Sequence, residues 1–81
     1  MAGLDNKKIA VIGAGNMGEA LIRGLIRSVA VDQVAAVDID FDLLSRLKTE
    51  IGVRVSEDAT TTVDGSDIVV IAIKPQHLFD V

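Results

Sequence analysis

Three glycines, Gly13, Gly15 and Gly18, stand at the spacing G-x-G-x-x-G directly after the apolar run Ile9-Ala10-Val11-Ile12. A carboxylate, Asp38, closes a second apolar run, Val34–Val37, twenty positions beyond Gly18. These residue types at this spacing suit the binding of a pyrophosphate and a ribose. Gly13 lets the chain turn sharply where a Cβ would be penalised. Gly15 presents bare backbone, which a pyrophosphate can approach. Gly18 lets the following helix lie close against the strand. That helix offers unpaired N–H groups and the positive end of its dipole to an anion. Asp38 falls where a dinucleotide fold needs an acceptor for the adenine-ribose hydroxyls. The plainer reading is a strand-to-helix turn that uses its glycines only for packing. Strand, turn, helix and acid occurring together favour binding.

Other residues carry weaker chemistry. Lys74 follows the last apolar run and reads either as a cofactor neighbour or proton donor, or as a surface lysine at a strand end. His77, the lone histidine, reads as a solvated loop residue rather than an acid or base. Met17 packs either beneath a cofactor or into the core, and the helical period, shared with Leu21, Gly24, Leu25 and Ser28, favours the core. Asp58 and Asp64 read as helix-end or loop acids. No cysteine is present, so thiol chemistry, disulfides and cysteine-based zinc sites are excluded. One histidine cannot build a multi-histidine metal centre. The net charge of −4, with no long basic block, disfavours nucleic acid as a partner. Phe41 and Phe79 are the only aromatic residues, too few for a base-stacking platform. No apolar run approaches the ~20 residues of a membrane span. The polar leader Met1–Lys8 lacks the apolar segment of a signal peptide, so a cytoplasmic location is expected.

The elements that must hold these residues follow from period and punctuation. Strands are expected at Lys8–Ile12, Val34–Val37, Val53–Val55 and Ile68–Ile73. The first helix is expected over Asn16–Ser28, with Glu19, Arg23 and Arg27 on a solvated face. The second is capped by Asp40, carries Leu43, Leu44, Leu47 and Ile51 inward, and stops at Gly52. A short third helix starts near Ser56 and ends by Gly65, although three threonines form helix poorly. Another helix can begin at Gln76. The order βαβαβαβ with right-handed crossovers predicts an α/β fold, a Rossmann-type parallel sheet with strands in the order 3-2-1-4, truncated after the fourth strand. All 81 residues make one domain. The hydrophobic fraction of 49% is high for so short a chain. It implies strands covered on both faces or apolar surface awaiting a partner. The run Ile68–Ile73, without polar alternation, reads as a strand buried on both faces, yet nothing follows it to cover its edge. Self-association through that edge is therefore expected.

The run from Ile9 through Gly13-Ala14-Gly15-Asn16-Met17-Gly18-Glu19-Ala20 to Ile26 closely resembles the N-terminus of the pyrroline-5-carboxylate reductases. Ala72-Ile73-Lys74-Pro75-Gln76 resembles that family's second signature. Related β-hydroxyacid dehydrogenases share the glycines, but the two signatures together favour the reductases. The resemblance covers nearly all of this chain and about the front third of the family's length. It implies the nucleotide-binding portion of an enzyme that reduces 1-pyrroline-5-carboxylate in the last step of proline biosynthesis. It also implies a dimer, made by a C-terminal helical domain that this sequence does not include. Cofactor contacts carried over by resemblance are Gly13, Ala14, Gly15, Asn16, Met17 and Gly18 at the pyrophosphate. Ala72, Ile73, Lys74 and Pro75 fall beside the ribose and nicotinamide. In many members the resemblance implies NADPH, with a small polar residue and then a basic one after the second strand. Here Asp38, Ile39 and Asp40 stand instead, so NAD(H) is expected over NADP(H). Many members also place an asparagine near Ser56–Ala59, to which no residue of this chain is assigned. The competing reading is a non-catalytic NAD(H)-binding or assembly module.

Overall fold

A computed structural model describes residues 6–72 of the chain. Ile73, Lys74, Pro75, His77 and the expected helix from Gln76 lie outside the described residues. Eight elements follow one another: β1 (Ile9–Ile12), α1 (Asn16–Leu25), a 3-10 turn (Val31–Gln33), β2 (Val34–Val37), α2 (Phe41–Glu50), β3 (Arg54–Ser56), α3 (Ala59–Asp64) and β4 (Ile68–Ile71). The strands form one parallel sheet in the order β3-β2-β1-β4, as the crossovers require. Ile9 pairs with Val34 on one side and with Ile68 on the other.

Local chemistry explains most boundaries. The Asp40 side chain accepts from the Leu43 N–H at 3.1 Å and starts α2. Gly52, at φ +91°, ends it in the left-handed region and donates its N–H to the Leu47 carbonyl at 3.2 Å. Asp58 does the same work for α3, accepting from the Thr61 N–H at 3.1 Å and the Thr61 hydroxyl at 2.9 Å. Those bonds hold its carboxyl below the usual range and offset the poor propensity of three threonines. Helix α1 stops at Leu25 rather than Ser28. Its last turn tightens there, with the Ser28 N–H reaching the Leu25 carbonyl at 2.9 Å. Strand β3 begins one residue later than the apolar run implied, with Val53 buried just ahead of it.

The two faces of the sheet are covered unequally. Ile9, Val11, Val34 and Ala36 face Ile22 of α1 and Leu44 and Leu47 of α2 in one buried cluster. The opposite face carries the β3-to-β4 crossover, whose α3 buries none of its own residues. Ile68 and Val70 pack against the main cluster, whereas Val69 is 40% and Ile71 65% exposed on the other face. The expectation that this strand is buried on both faces is corrected accordingly. An uninterrupted apolar run records what the strand tolerates, not what lies over it, and the six-residue α3 buries none of its own residues.

Candidate functional site

The residues singled out by type and spacing meet at the C-terminal ends of β1 and β2. Gly13 has φ +90° and donates its N–H to the Val37 carbonyl at 2.8 Å, so the ladder continues one residue past β1 before the chain turns. Gly18 is buried on α1. A Cβ there would fall well inside contact distance of the Gly13 carbonyl oxygen and 3.0 Å from the Gly13 carbonyl carbon. Helix and loop therefore touch backbone to backbone. Gly15 is exposed, and a Cβ built on it meets nothing within 4 Å. It leaves the open approach that a phosphate would use.

Gly15 is also the N-cap of α1 and supplies no side-chain acceptor to the first-turn N–H groups. The other two α-helices among the described residues are capped by the carboxylates Asp40 and Asp58. The glycine-rich terminus is thus the one left for an external anion.

Asp38 lies beside this loop, partly buried. Its Oδ2 accepts from the Ala14 N–H at 2.9 Å and its Oδ1 from the Asp40 N–H at 2.9 Å. Ala72, buried, donates its N–H to the Ile12 carbonyl at 2.8 Å and sits next to Gly18. The structure thereby brings Gly13 to Gly18, Asp38 and Ala72 together. Ile73, Lys74 and Pro75 are outside the described residues. Met17 corrects an expectation: it is 56% exposed at the loop rather than in the core. The inward face of α1 is set by Gly18 and Ile22.

Two features here were not legible in the chain. Ile39, 90% exposed, and Phe41, 67% exposed, stand as bare apolar side chains directly after the acid. Behind the loop, Glu19 of α1 meets Arg46 of α2 at 2.6 Å and Arg23 at 3.0 Å, and both arginines reach Glu50, at 3.4 and 3.3 Å. The Arg46 hydrogen bond, and then that of Arg23, lower the Glu19 pKa to about 2, and Glu19 in turn raises that of Arg46. The two i,i+4 pairs are visible in the sequence, but their closure into a ring across two helices is not.

Residues 8–81 match the family model described as NADP oxidoreductase, coenzyme F420-dependent. The chain is 41% identical over 80 residues to the pyrroline-5-carboxylate reductase of Methanosarcina acetivorans, covering 96% of this chain and 30% of that protein. It is 37% identical over 71 residues to the enzyme of the same name from Escherichia coli, covering 85% of this chain and 26% of that protein. Among solved structures, a pyrroline-5-carboxylate reductase from Coxiella burnetii superposes with a TM-score of 0.81 at 29% identity, over 89% of this chain and 27% of that one. A myo-inositol 2-dehydrogenase from Lactobacillus plantarum gives a TM-score of 0.68 at 30% identity, over 88% of this chain and 22% of that one. The chain thus spans about 30% of the length of the first of these relatives. With the family model matched over residues 8–81 and the fold shared with a solved reductase, the chain belongs to the NADP oxidoreductase, coenzyme F420-dependent family, as the N-terminal domain of the pyrroline-5-carboxylate reductases.

Proposed function

We propose that this domain binds NAD(H) across Gly13–Gly18 and serves a reductase that converts 1-pyrroline-5-carboxylate to proline. The observation that carries this reading is the α1 N-terminus, ended by a bare glycine while its sister helices are capped by carboxylates. A nicotinamide cofactor brings the hydride. The residues of this chain hold and orient it. Backbone N–H groups at the start of α1 receive the pyrophosphate, and the Asp38 carboxylate accepts from the adenine-ribose hydroxyls. Ala14, Asn16 and Met17 line the loop. Ala72 borders the site beside Gly18, and the resemblance assigns Ile73, Lys74 and Pro75 to the ribose and nicotinamide side.

The family description names NADP, whereas the residues after β2 favour the unphosphorylated dinucleotide. Hydrogen bonds from ribose hydroxyls to a charged acceptor contribute about 1.5–3 kcal/mol each. A 2′-phosphate within ~4 Å of Asp38 is repelled by about 4 kcal/mol per unit charge at an effective dielectric of ~20, less where water enters. Asp40, two residues on, adds a second carboxylate nearby in the chain, at the N-cap of α2.

The test is calorimetry with NADH and NADPH on the unaltered chain and on Gly15→Val. The unaltered chain should bind NADH at least about tenfold more tightly than NADPH. Gly15→Val should remain folded, because its side chain enters open space, and should lose NADH binding. Equal affinity for the two dinucleotides would remove the cofactor assignment. Normal NADH binding by the variant would move the site elsewhere.

We further propose that the β4 edge is covered by β4 of a second copy about a two-fold axis, or by further chain of a longer protein. The 81-residue chain alone then has no appreciable reductase activity. A cytoplasmic location fits this role. Among the described residues no helix is long and apolar enough to cross a membrane.

A further inference from the structure

Asp38 is engaged before any ribose arrives. Both carboxylate oxygens accept backbone N–H groups at 2.9 Å, one from Ala14 inside the glycine-rich loop and one from Asp40 at the start of α2. Its own N–H donates to the Ser56 carbonyl at 3.3 Å, which fixes its backbone against β3. Ala14 is fully buried between two glycines. A loop with Gly13 and Gly15 on either side has little rigidity of its own. A hydrogen bond to a charged acceptor is among the stronger single restraints available to it. Each carboxylate oxygen keeps a further lone pair, so ribose hydroxyls can be added without breaking either bond.

Resting on the dinucleotide reading above, we propose that Asp38 is a positioning residue for the phosphate-binding loop, holding the Ala14 amide so that the neighbouring N–H groups converge on the pyrophosphate, separately from its contact with ribose. The two roles make opposite predictions for a ligand without ribose hydroxyls. Electrostatics alone makes a carboxylate near a pyrophosphate unfavourable, so removing it tightens such a ligand. Positioning makes its removal loosen that ligand.

The experiment crosses chain variants with ligand variants. NADH and its analogue lacking both adenine-ribose hydroxyls are titrated by calorimetry into the unaltered 81-residue chain, Asp38→Ala and Asp38→Asn. Asp38→Ala should weaken NADH at least about tenfold and the dideoxy analogue about fivefold. Asp38→Asn, which keeps an oxygen able to accept from Ala14, should restore most of the loss on the analogue but not on NADH. An analogue that binds Asp38→Ala as well as, or better than, the unaltered chain overturns the proposal. A second measurement does not depend on ligand. The Ala14 amide should exchange slowly with solvent in the unaltered chain and in Asp38→Asn, and faster in Asp38→Ala, while Val11 stays protected in all three. Rapid exchange of Ala14 in the unaltered chain also overturns it. An unaltered chain that binds neither dinucleotide, with Ala14 protected, overturns the cofactor reading beneath the proposal instead.

Discussion

At the scale of single residues, the glycines of this chain do different work, and their substitution should change stability in opposite directions. A methyl group at Gly18 meets backbone of Gly13, which cannot rotate away as a side chain can. Gly18→Ala should therefore cost about 1–3 kcal/mol in urea denaturation as α1 is pushed off the loop. Gly24, also on α1, has nothing within 4 Å of an added Cβ. Gly24→Ala should stabilise by about 0.5–1 kcal/mol, the ordinary gain of alanine in a helix. Equal effects at the two positions would show that helix-to-loop contact is not what Gly18 provides. The turn at Gly13 and the close approach at Gly18 were legible because each geometry admits few residues. The side of Met17 was not. A helical period groups residues onto a face but does not say which face is inward, and here a residue without a side chain, Gly18, marks the centre of the buried side.

At the scale of elements, α1 and α2 are tied by the ring of Glu19, Arg23, Arg46 and Glu50. Glu19 titrates at about 2 in the folded chain, against an ordinary value of 4.5, chiefly through its bond to Arg46. A carboxylate depressed by folding contributes stability that is complete above its unfolded value and lost as pH falls toward the folded one. Melting temperature should therefore fall between pH 4.5 and about 2 partly because of Glu19. Glu19→Gln should be less stable at neutral pH and should flatten that acid limb, as scanning calorimetry across the range will show. Parallel acid limbs for the two proteins would mean that the ring stabilises nothing, as exposed ion pairs often do. The helices themselves were readable from Asp40, Asp58 and Gly52, whose side-chain or backbone preferences are local. Their cross-helix pairing was not, because it depends on where the sheet sets the two helix axes.

For the molecule as a whole, strand order followed from the sequence, since short right-handed crossovers leave few alternatives. The depth of burial did not, because it depends on what lies over a strand rather than on the strand. Val69 and Ile71 stand exposed on β4, which forms one edge of the described sheet. An apolar edge with unpaired backbone groups joins readily to another. Light scattering on the 81-residue chain should show a mass that rises with concentration. Ile71→Lys should lower it toward that of one copy. A monomer at high concentration, with rapid amide exchange along Ile68–Ile71, would show that water suffices to cover this edge.

The central place of β1 has a further consequence, in time. Ile9 is paired with Val34, 25 residues away, and with Ile68, 59 residues away. Closing the longer loop costs only about 0.8 kcal/mol more than the shorter one, so equilibrium barely registers the difference. Synthesis does. At about 5–20 residues per second, β4 leaves the ribosome roughly 2–7 s after β2. Through that interval β1, already paired with β2, carries an open apolar edge on a nascent chain. The moment of greatest exposure to wrong neighbours therefore falls before β4 is made, and it falls on the strand that carries the glycine turn.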